Sequence, residues 1–529
     1  MLEFELKFQV PESCLDSLTD ELKAHGARST RLLARYFDTA DGALRANRLA
    51  LRLRKEGRAW VQAVKGDGGS AVQRLEHEVR LRVPSGTQPM LDPTLHRGSA
   101  VGEALRALLL QIASARRNGT PEPELTETGA AAPLLIERCS TDVMRRACVL
   151  QPLGSGVEVA LDLGTIRAGE REVRICELEL ELKSGDPRGL FALAQAWRAH
   201  GGLWLDVRPK SERGALLISG RLYGAAAKAR PPVVHRQMTG PQLFAGAVRS
   251  ALDAVLANSS ELAAGSNDEE HVHQLRVGLR RLRGLLRDLA PLGTGVDAAW
   301  APALAVTFAQ LGALRDNQSV ARAVRPLLER AGAPRLAWAM PTAELDPGAV
   351  VREARFQAAL LAMLEHALLA HVPVDRRSLD HTPLDAALAA TPLPIGLSPE
   401  QALAHIADRL STLHRQVVRD GRRFEALPLE RQHEVRKRLK RLRYLAEFAA
   451  PLWPGKAARR YLKPLARAQD ALGHHNDIAV AADKFHADAD QDPRSLFAAG
   501  YLFAHLAVTA REAQQALLPI AALRRFWPH

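Results

Sequence analysis

Glu3-Phe4-Glu5-Leu6-Lys7 opens the chain with three charged side chains on one face of an extended segment and two apolar ones on the other. At about 3.3 Å per residue, the two carboxylates and the ammonium spread along roughly 13 Å of strand. The alternation returns further on. Arg52 and Arg54 flank Leu53, while Arg74, Glu76 and Glu78 share a phase, as do Glu158 and Asp162, and Glu177, Glu179 and Glu181 alternate with leucines. On a single strand such a face is ordinarily the wet side of an antiparallel sheet. Recurrence on most strands argues for an inward face, where buried charges must be paired, coordinated or neutralised by a ligand. The expectation is a charged tunnel.

Working outward, period-two segments lie near 2–10, 31–37, 48–55, 58–65, 73–80, 134–146, 156–163 and 173–183, punctuated by Gly57, the Gly66 to Gly69 turn and Gly154 to Gly156. Helices are expected at 12–25, 100–117 and 187–200. Eight closely spaced strands with hairpin turns favour an antiparallel barrel over a parallel sheet. After about residue 240 the period becomes 3.6, rich in Ala, Leu and Arg, with breaks at Pro291, Pro341, Pro392 and Pro451. The fold class expected is therefore α+β multidomain: a tunnel domain over 1–222, a linker over 223–240 and an all-helical domain over 241–529.

Charge divides at the same place. Residues 1–220 hold 31 Lys+Arg against 29 Asp+Glu; of the totals of 72 and 59, that leaves 41 and 30 for the rest, a net of +11 out of +13. A nearly neutral first part with both signs suits a metal with a polyanion, and a basic second part suits a polyanionic partner. With 47% hydrophobic and 25% charged residues the chain reads as globular. No run of eighteen apolar residues occurs, the N-terminus is charged at positions 3, 5 and 7, and Cys14, Cys139, Cys148 and Cys176 have no ligand spacing. No membrane span, signal peptide, zinc site or disulfide framework is expected, and a cytoplasmic location is.

Carboxylates without His or Cys are hard ligands, suited to Mg²⁺ or Mn²⁺. Arginines and lysines on facing walls supply charge-assisted contacts to phosphate oxygens. Neither GxxxxGK[ST] nor a GxGxxG after a strand is present, so nucleotide cradles built on a helix N-terminus are not expected.

Glu3-Phe4-Glu5-Leu6-Lys7 resembles the ExExK signature of the CYTH superfamily, the triphosphate tunnel metalloenzymes. The resemblance continues in order through Tyr36-Phe37-Asp38-Thr39, Leu51-Arg52-Leu53-Arg54, Lys65 before Gly66, Arg74 to Glu78, Arg145, Asp162, Glu177 to Glu181 and Lys210 to Gly214, covering about 1–220. One departure is Pro209, where the family usually has Ser. The resemblance implies an eight-stranded tunnel that hydrolyses triphosphates with a divalent metal. Glu3, Glu5, Asp162, Glu177 and Glu179 are then the metal-side candidates, and Lys7, Arg52, Arg54, Lys65, Arg145 and Lys210 the phosphate-side candidates. Glu76, Glu78 and Glu181 are reserve members of either shell.

The second part repeats itself. His273, Arg276, Arg280, Arg281 and Arg283 align at an offset of 160 with His433, Arg436, Lys440, Arg441 and Arg443, and Leu311-Gly312 with Asp316 matches Leu472-Gly473 with Asp477. Repeats at about 241–390 and 398–529 imply two similar bundles. From Arg431 to Lys463, eleven Lys+Arg face only Glu434 and Glu447. On a helix, His433, Lys437, Lys440, Arg441 and Tyr444 share one face, bordered by Arg436 and Arg443. These helices resemble the CHAD domain, the conserved-histidine alpha-helical domain, over about 236–529. That resemblance implies two four-helix bundles related by a pseudo-twofold and a role in binding inorganic polyphosphate. Asp316 and Asp477 read as caps or ion-pair partners. Nucleic acid is a less favoured partner, because aromatic platforms are lacking.

The reading is a cytoplasmic, metal-dependent inorganic triphosphatase joined to a polyphosphate-binding helical domain, with polyphosphate granules as a place of association. Other readings are a CYTH enzyme acting on thiamine triphosphate, an adenylate cyclase acting on ATP, and a non-catalytic polyphosphate-localising protein.

Overall fold

A computed structural model describes residues 2–84, 86–117, 135–199, 201–334, 346–369 and 396–528. The chain forms two compact units. The first comprises Met1–Ala227 together with Leu256–Ser266 and Val351–Glu365; the second comprises Lys228–Val255, Asn267–Val350 and His366–His529.

The first unit is built on β1 (Leu2–Gln9), β2 (Arg28–Asp38), β3 (Ala50–Glu56), β4 (Ala59–Ser70), β5 (Gln73–Leu81), β6 (Ile136–Leu150), β7 (Gly156–Ala168) and β8 (Arg171–Ser184). Their order is β5-β4-β3-β2-β6-β7-β8-β1, and β5 pairs back to β1 with Glu3 opposite Arg74, so the antiparallel sheet closes on itself. Closure follows from the sequence pattern, because it gives the charged faces a shared interior and the apolar faces a shared exterior. Leu6, Phe8, Leu178 and Leu180 are fully buried. Outside the barrel lie α1 (Leu15–Ala24), a short α2 (Ala43–Ala46), α3 (Ala100–Arg117) and α4 (Pro187–Ala199). α3 packs Val101, Leu105 and Leu109 against Leu51 and Val64.

Two local readings differ. The Gly66 to Gly69 stretch is not the turn; β4 continues to Ser70, with a register shift between Asp67 and Ser70. A Cβ on Gly68 would stand 2.4 Å from the Gln73 backbone, so this glycine admits the close return of β5. The second difference is a helix that period-two reading passed over, α5 (Lys210–Ile218), preceded by a two-residue strand β9 (Trp204–Leu205) beside β1. α5 closes one end of the barrel: Leu217 packs among Leu32, Tyr36, Cys139, Val143, Ile166 and Ile175.

The helical region contains α6 (Gly240–Ala263), α7 (Glu269–Leu289), α8 (Trp300–Arg330), α9 (Pro347–Arg352), α10 (Ala354–Leu369), α11 (Pro399–Gly421), α12 (Leu429–Ala449), α13 (Lys456–Ala487) and α14 (Ser495–Leu517). α7 and α12 keep the offset of 160, and each ends in an Ala-Pro-Leu 3-10 turn at Pro291 and Pro451. Ser398 and Gln401 form a capping box at the start of α11. Within the second repeat, α11 packs on α12, α12 on α13, α13 on α14 and α14 back on α11. Pro341 and Pro392 lie outside the described residues, as does the side chain of Asp316.

The plug depends on a missing side chain. A Cβ on Gly214 would lie 2.3 Å from Cys139 Sγ and 2.9 Å from its Cβ. Gly214→Ala is expected to destabilise the first unit by about 1–3 kcal/mol through overpacking, read as a lower urea midpoint, and Cys139→Ala in the same chain to restore part of the loss.

Candidate active site

Strand alternation turns one set of side chains into a cavity of about 460 Å³ inside the barrel. Among the described residues its wall carries ten basic and nine acidic side chains. The near balance follows from burial, since an uncompensated excess of either sign would be costly at low dielectric.

Two clusters organise these charges. In the first, Lys210 Nζ stands 2.7 Å from each of Asp162 Oδ2, Glu177 Oε1 and Glu179 Oε1. Pairing registers place Asp162 opposite both Glu177 and Arg145. Arg145 makes two 2.7 Å bonds to Asp162 and also pairs with Glu179. Burial opposes ionisation of Glu179, but Lys210 and Arg145 outweigh it and hold the carboxyl well below the usual range. The carboxylate oxygens of Asp162, Glu177 and Glu179 lie within 4.8 Å of one another. This all-oxygen set fits a hard divalent cation.

The second cluster surrounds Lys65, which lies 2.9 Å from Glu3, 3.2 Å from Glu76 and 3.9 Å from Glu5. Arg52 bridges Glu76 and Glu78 at 3.4 and 3.2 Å, and Arg54 reaches Glu78 at 3.3 Å. Here compensation is uneven. Burial, with Glu5, Glu76 and Glu181 adding to it against Lys65, pushes Glu3 up to about 8. Burial also opposes ionisation of Glu76, yet Lys65 and Arg52 pull that carboxyl down to about 2. Glu181, raised chiefly by burial, sits 2.7 Å from Lys183.

Glu3, Glu5, Lys7, Arg52, Arg54, Lys65, Glu76, Glu78, Arg145, Asp162, Glu179, Glu181 and Lys210 thus line one cavity. Glu177 is fully buried and stands behind that wall, bound by Lys210, by Arg213 at 3.1 Å and by Gln9 at 3.2 Å. Lys7 donates to the backbone carbonyl of Arg208. Arg28, Glu56, Arg80 and Lys183 also line the cavity and were not singled out from the sequence. For the last three the signal was available: each continues the phase of a charged strand already recognised.

In the second unit the repeated helices meet. Burial, then the charges of Arg436, Arg280 and Arg276 against Asp477, lowers the Lys440 ammonium to about 7. Arg276 and Arg436 are repeat equivalents, as are Arg280 and Lys440, so each copy gives two cations to one cluster. Arg276, Arg280 and Arg283 lie 5.0, 5.6 and 5.2 Å from the ring of Phe308. The single ligand-facing surface expected on α12 is divided. Arg441 instead pairs with buried Asp288 of α7, which Arg409 also reaches at 2.8 Å. Arg281 and Arg443 bind Glu447 at 2.8 and 2.9 Å, and Arg281 stacks over Tyr444. Lys437 pairs with Glu434 at 3.0 Å and His433 with Asn476 at 2.9 Å. Helix-to-helix contact requires acids opposite some of these cations, which the repeat alone did not reveal. His273 is half-buried on α7.

Residues 1–215 match the CYTH domain, and residues 246–486 match the CHAD domain. The chain carries a CYTH domain followed by a CHAD domain. Over 184 residues it is 28% identical to the inorganic triphosphatase of Haemophilus influenzae, a stretch covering 35% of this chain and 45% of that protein. The chain therefore spans less than half the length of this curated relative. Among solved structures, the CHAD domain from the plant Ricinus communis is 25% identical, covering 57% of this chain and 98% of that one at a TM-score of 0.41. A protein from Hippeastrum with a dominant triphosphatase activity is 17% identical, covering 42% of this chain and 97% of that one at a TM-score of 0.27. No helix among the described residues is long and apolar enough to cross a membrane.

The shift at Glu3 has a measurable sign. Its folded value, about 8, lies above the ordinary 4.5, so between these values the fold holds a proton that the unfolded chain releases. That contribution is fully present below about pH 4.5 and is lost as pH rises toward 8, at up to about 1.4 kcal/mol per pH unit. In excess chelator, Glu3→Gln is expected to show a flatter dependence of urea midpoint on pH from 5 to 8 than the parent; an unchanged slope would contradict the assignment.

Proposed function

We propose that the CYTH domain hydrolyses inorganic triphosphate to pyrophosphate and phosphate with Mg²⁺ or Mn²⁺, and that the CHAD domain binds inorganic polyphosphate. The observation that carries the first part is the barrel cavity in which Asp162 and Glu179, backed by Glu177, face a wall of Lys65, Arg52 and Arg54. Such a cavity suits a linear polyanion that arrives with its own metal. Inorganic triphosphatase activity in the Haemophilus influenzae relative agrees with this reading.

Arg52, Arg54 and Lys65 would bind oxygens of the terminal phosphates, and Arg145 and Lys210 those nearer the plugged end. Asp162, Glu177 and Glu179, with Glu3 and Glu5 on β1, the strand paired to β8, would hold the cation, which when bound neutralises charge on the transferring phosphoryl and leaving pyrophosphate. Partial burial of this set lowers the local dielectric and strengthens each contact. The acidic wall would orient the attacking water, with Glu76 and Glu78 keeping Arg52 and Arg54 in place.

Glu5→Gln in the full chain is expected to lower Mg²⁺-supported phosphate release from triphosphate by on the order of a hundredfold, with little change in thermal stability. Release should also stop in excess EDTA. Triphosphate should be preferred to ATP and thiamine triphosphate; preference for either would reassign the substrate, and full activity in EDTA would end the metal mechanism.

For the CHAD domain, the supporting observation is convergence of Arg276, Arg280, Arg436 and Lys440 from both repeats, with Asp477 also close to Lys440. A long polyanion is the ligand that such like charges favour. We further propose a cytoplasmic setting, with association with polyphosphate granules. A bound polyanion raises the Lys440 value from about 7, so binding takes up a proton. Affinity for long polyphosphate should therefore weaken as pH rises from 6 to 8.5. Lys440→Arg, charged throughout, should remove most of that dependence, and equal pH profiles in the two proteins would refute the role of Lys440.

A further inference from the structure

The segment Leu205–Pro209 runs directly into Lys210, and it also holds Lys7. Asp206 N donates to Lys7 O at 2.9 Å, and Lys7 Nζ donates to Arg208 O. The two lysines at the plugged end of the tunnel therefore share one backbone support. Asp206 fixes it internally, accepting from Arg208 N and Nε at 2.9 Å, from Arg208 Nη2 at 2.8 Å and from Gln9 Nε2 at 2.8 Å.

The rest of the support comes from far along the chain. Arg208 Nη1 donates to Glu261 Oε2 at 3.3 Å, and the other Glu261 oxygen accepts from Gly224 N at 3.0 Å. Val207 N donates to Ser260 Oγ at 3.1 Å and Leu205 N to Gln357 Oε1 at 2.9 Å. Asp206, Arg208, Ser260, Glu261 and Gln357 are all buried. Buried backbone N–H groups and a buried guanidinium need partners, so these three side chains complete a set of bonds that the segment cannot complete itself. Ser260, Glu261 and Gln357 belong to the pieces Leu256–Ser266 and Val351–Glu365 of the first unit, beyond the end of the CYTH match at residue 215.

We infer that Glu261, aided by Ser260 and Gln357, is a positioning residue for the tunnel, holding Lys7 and Lys210 where a triphosphate is gripped. The inference rests on the triphosphatase reading of that cavity. Without Glu261, the Arg208 guanidinium loses one of its two carboxylates, Arg208 O shifts with it, and Lys7 loses its anchor.

The experiment is steady-state hydrolysis of triphosphate by the full chain with Mg²⁺, alongside thermal melts. Glu261→Ala is expected to raise KM by about tenfold with a smaller change in kcat, as a loosened substrate grip does. Glu261→Gln keeps an oxygen that can accept from Arg208 but sets its NH₂ against Gly224 N, and its KM is expected to fall between those of the parent and Glu261→Ala. A purely structural role would lower the active fraction, and hence kcat, without moving KM. Should Glu261→Ala fail to fold, Ser260→Ala decides, since it removes the hydrogen bonds with Val207 N and Leu205 O and no charge; its KM is expected to rise about twofold to threefold. An unmoved KM in the folded variants, or a Gln variant as impaired as Ala, overturns the inference. A parent chain that does not release phosphate from triphosphate overturns the triphosphatase reading instead.

Discussion

Lys210 Nζ, 2.7 Å from one oxygen each of Asp162, Glu177 and Glu179, is the contact on which the first unit turns. Three carboxylates brought together by adjacent strands in a closed barrel cannot stay ionised without a cation among them. That cation is the first residue of α5, and α5 is also the apolar plug that fills the barrel end with Leu217. Charge compensation and closure of the core are thus one event, and it requires Gly214 to approach Cys139 without a side chain. A β barrel and a charged lumen would otherwise be competing demands.

The cluster around Lys65 shows what incomplete compensation does. Glu3 and Glu76 are both close to Lys65, yet burial and neighbouring acids push Glu3 up to about 8 while Lys65 and Arg52 hold Glu76 at about 2. The upward shift of Glu3 falls where acids outnumber the cations. Under the proposed function, a divalent ion held by Asp162, Glu177 and Glu179 with Glu3 and Glu5 beside them would also relieve that excess of acid. The arginines that hold Glu76 and Glu78 face the same lumen, so the wall proposed to grip phosphate is ordered by these ion pairs.

In the second unit the repeat is used twice over. Asp288 and Glu447 draw Arg441, Arg281 and Arg443 into contacts that join α7 to α12 and brace α12 itself. Arg276, Arg280, Arg436 and Lys440 meet from the two copies, and burial together with three guanidiniums makes the ammonium the weakest base of the group. Duplication accounts for both outcomes, since it repeats Arg276, Arg280, Arg281 and Arg283 as Arg436, Lys440, Arg441 and Arg443 but leaves Asp288 and Glu447 without equivalent acids in the other copy.

Period-two charge on Glu3 to Lys7, Arg52 and Arg54, and Glu177 to Glu181 was enough to predict an antiparallel barrel with those faces inward, because strand geometry fixes which residues share a face. The offset of 160 likewise determined the paired helices α7 and α12, down to the Pro291 and Pro451 turns that end them. Tertiary structure decided what no local period encodes. It placed Glu177 behind the cavity wall, tied Lys7 to the Arg208 carbonyl, and turned Arg441 toward Asp288, 153 residues away in sequence. It also brought Glu261 to Arg208 across 53 residues. Those partners are set by strand order, barrel closure and helix packing, and they depend on distances in space that a linear pattern does not carry.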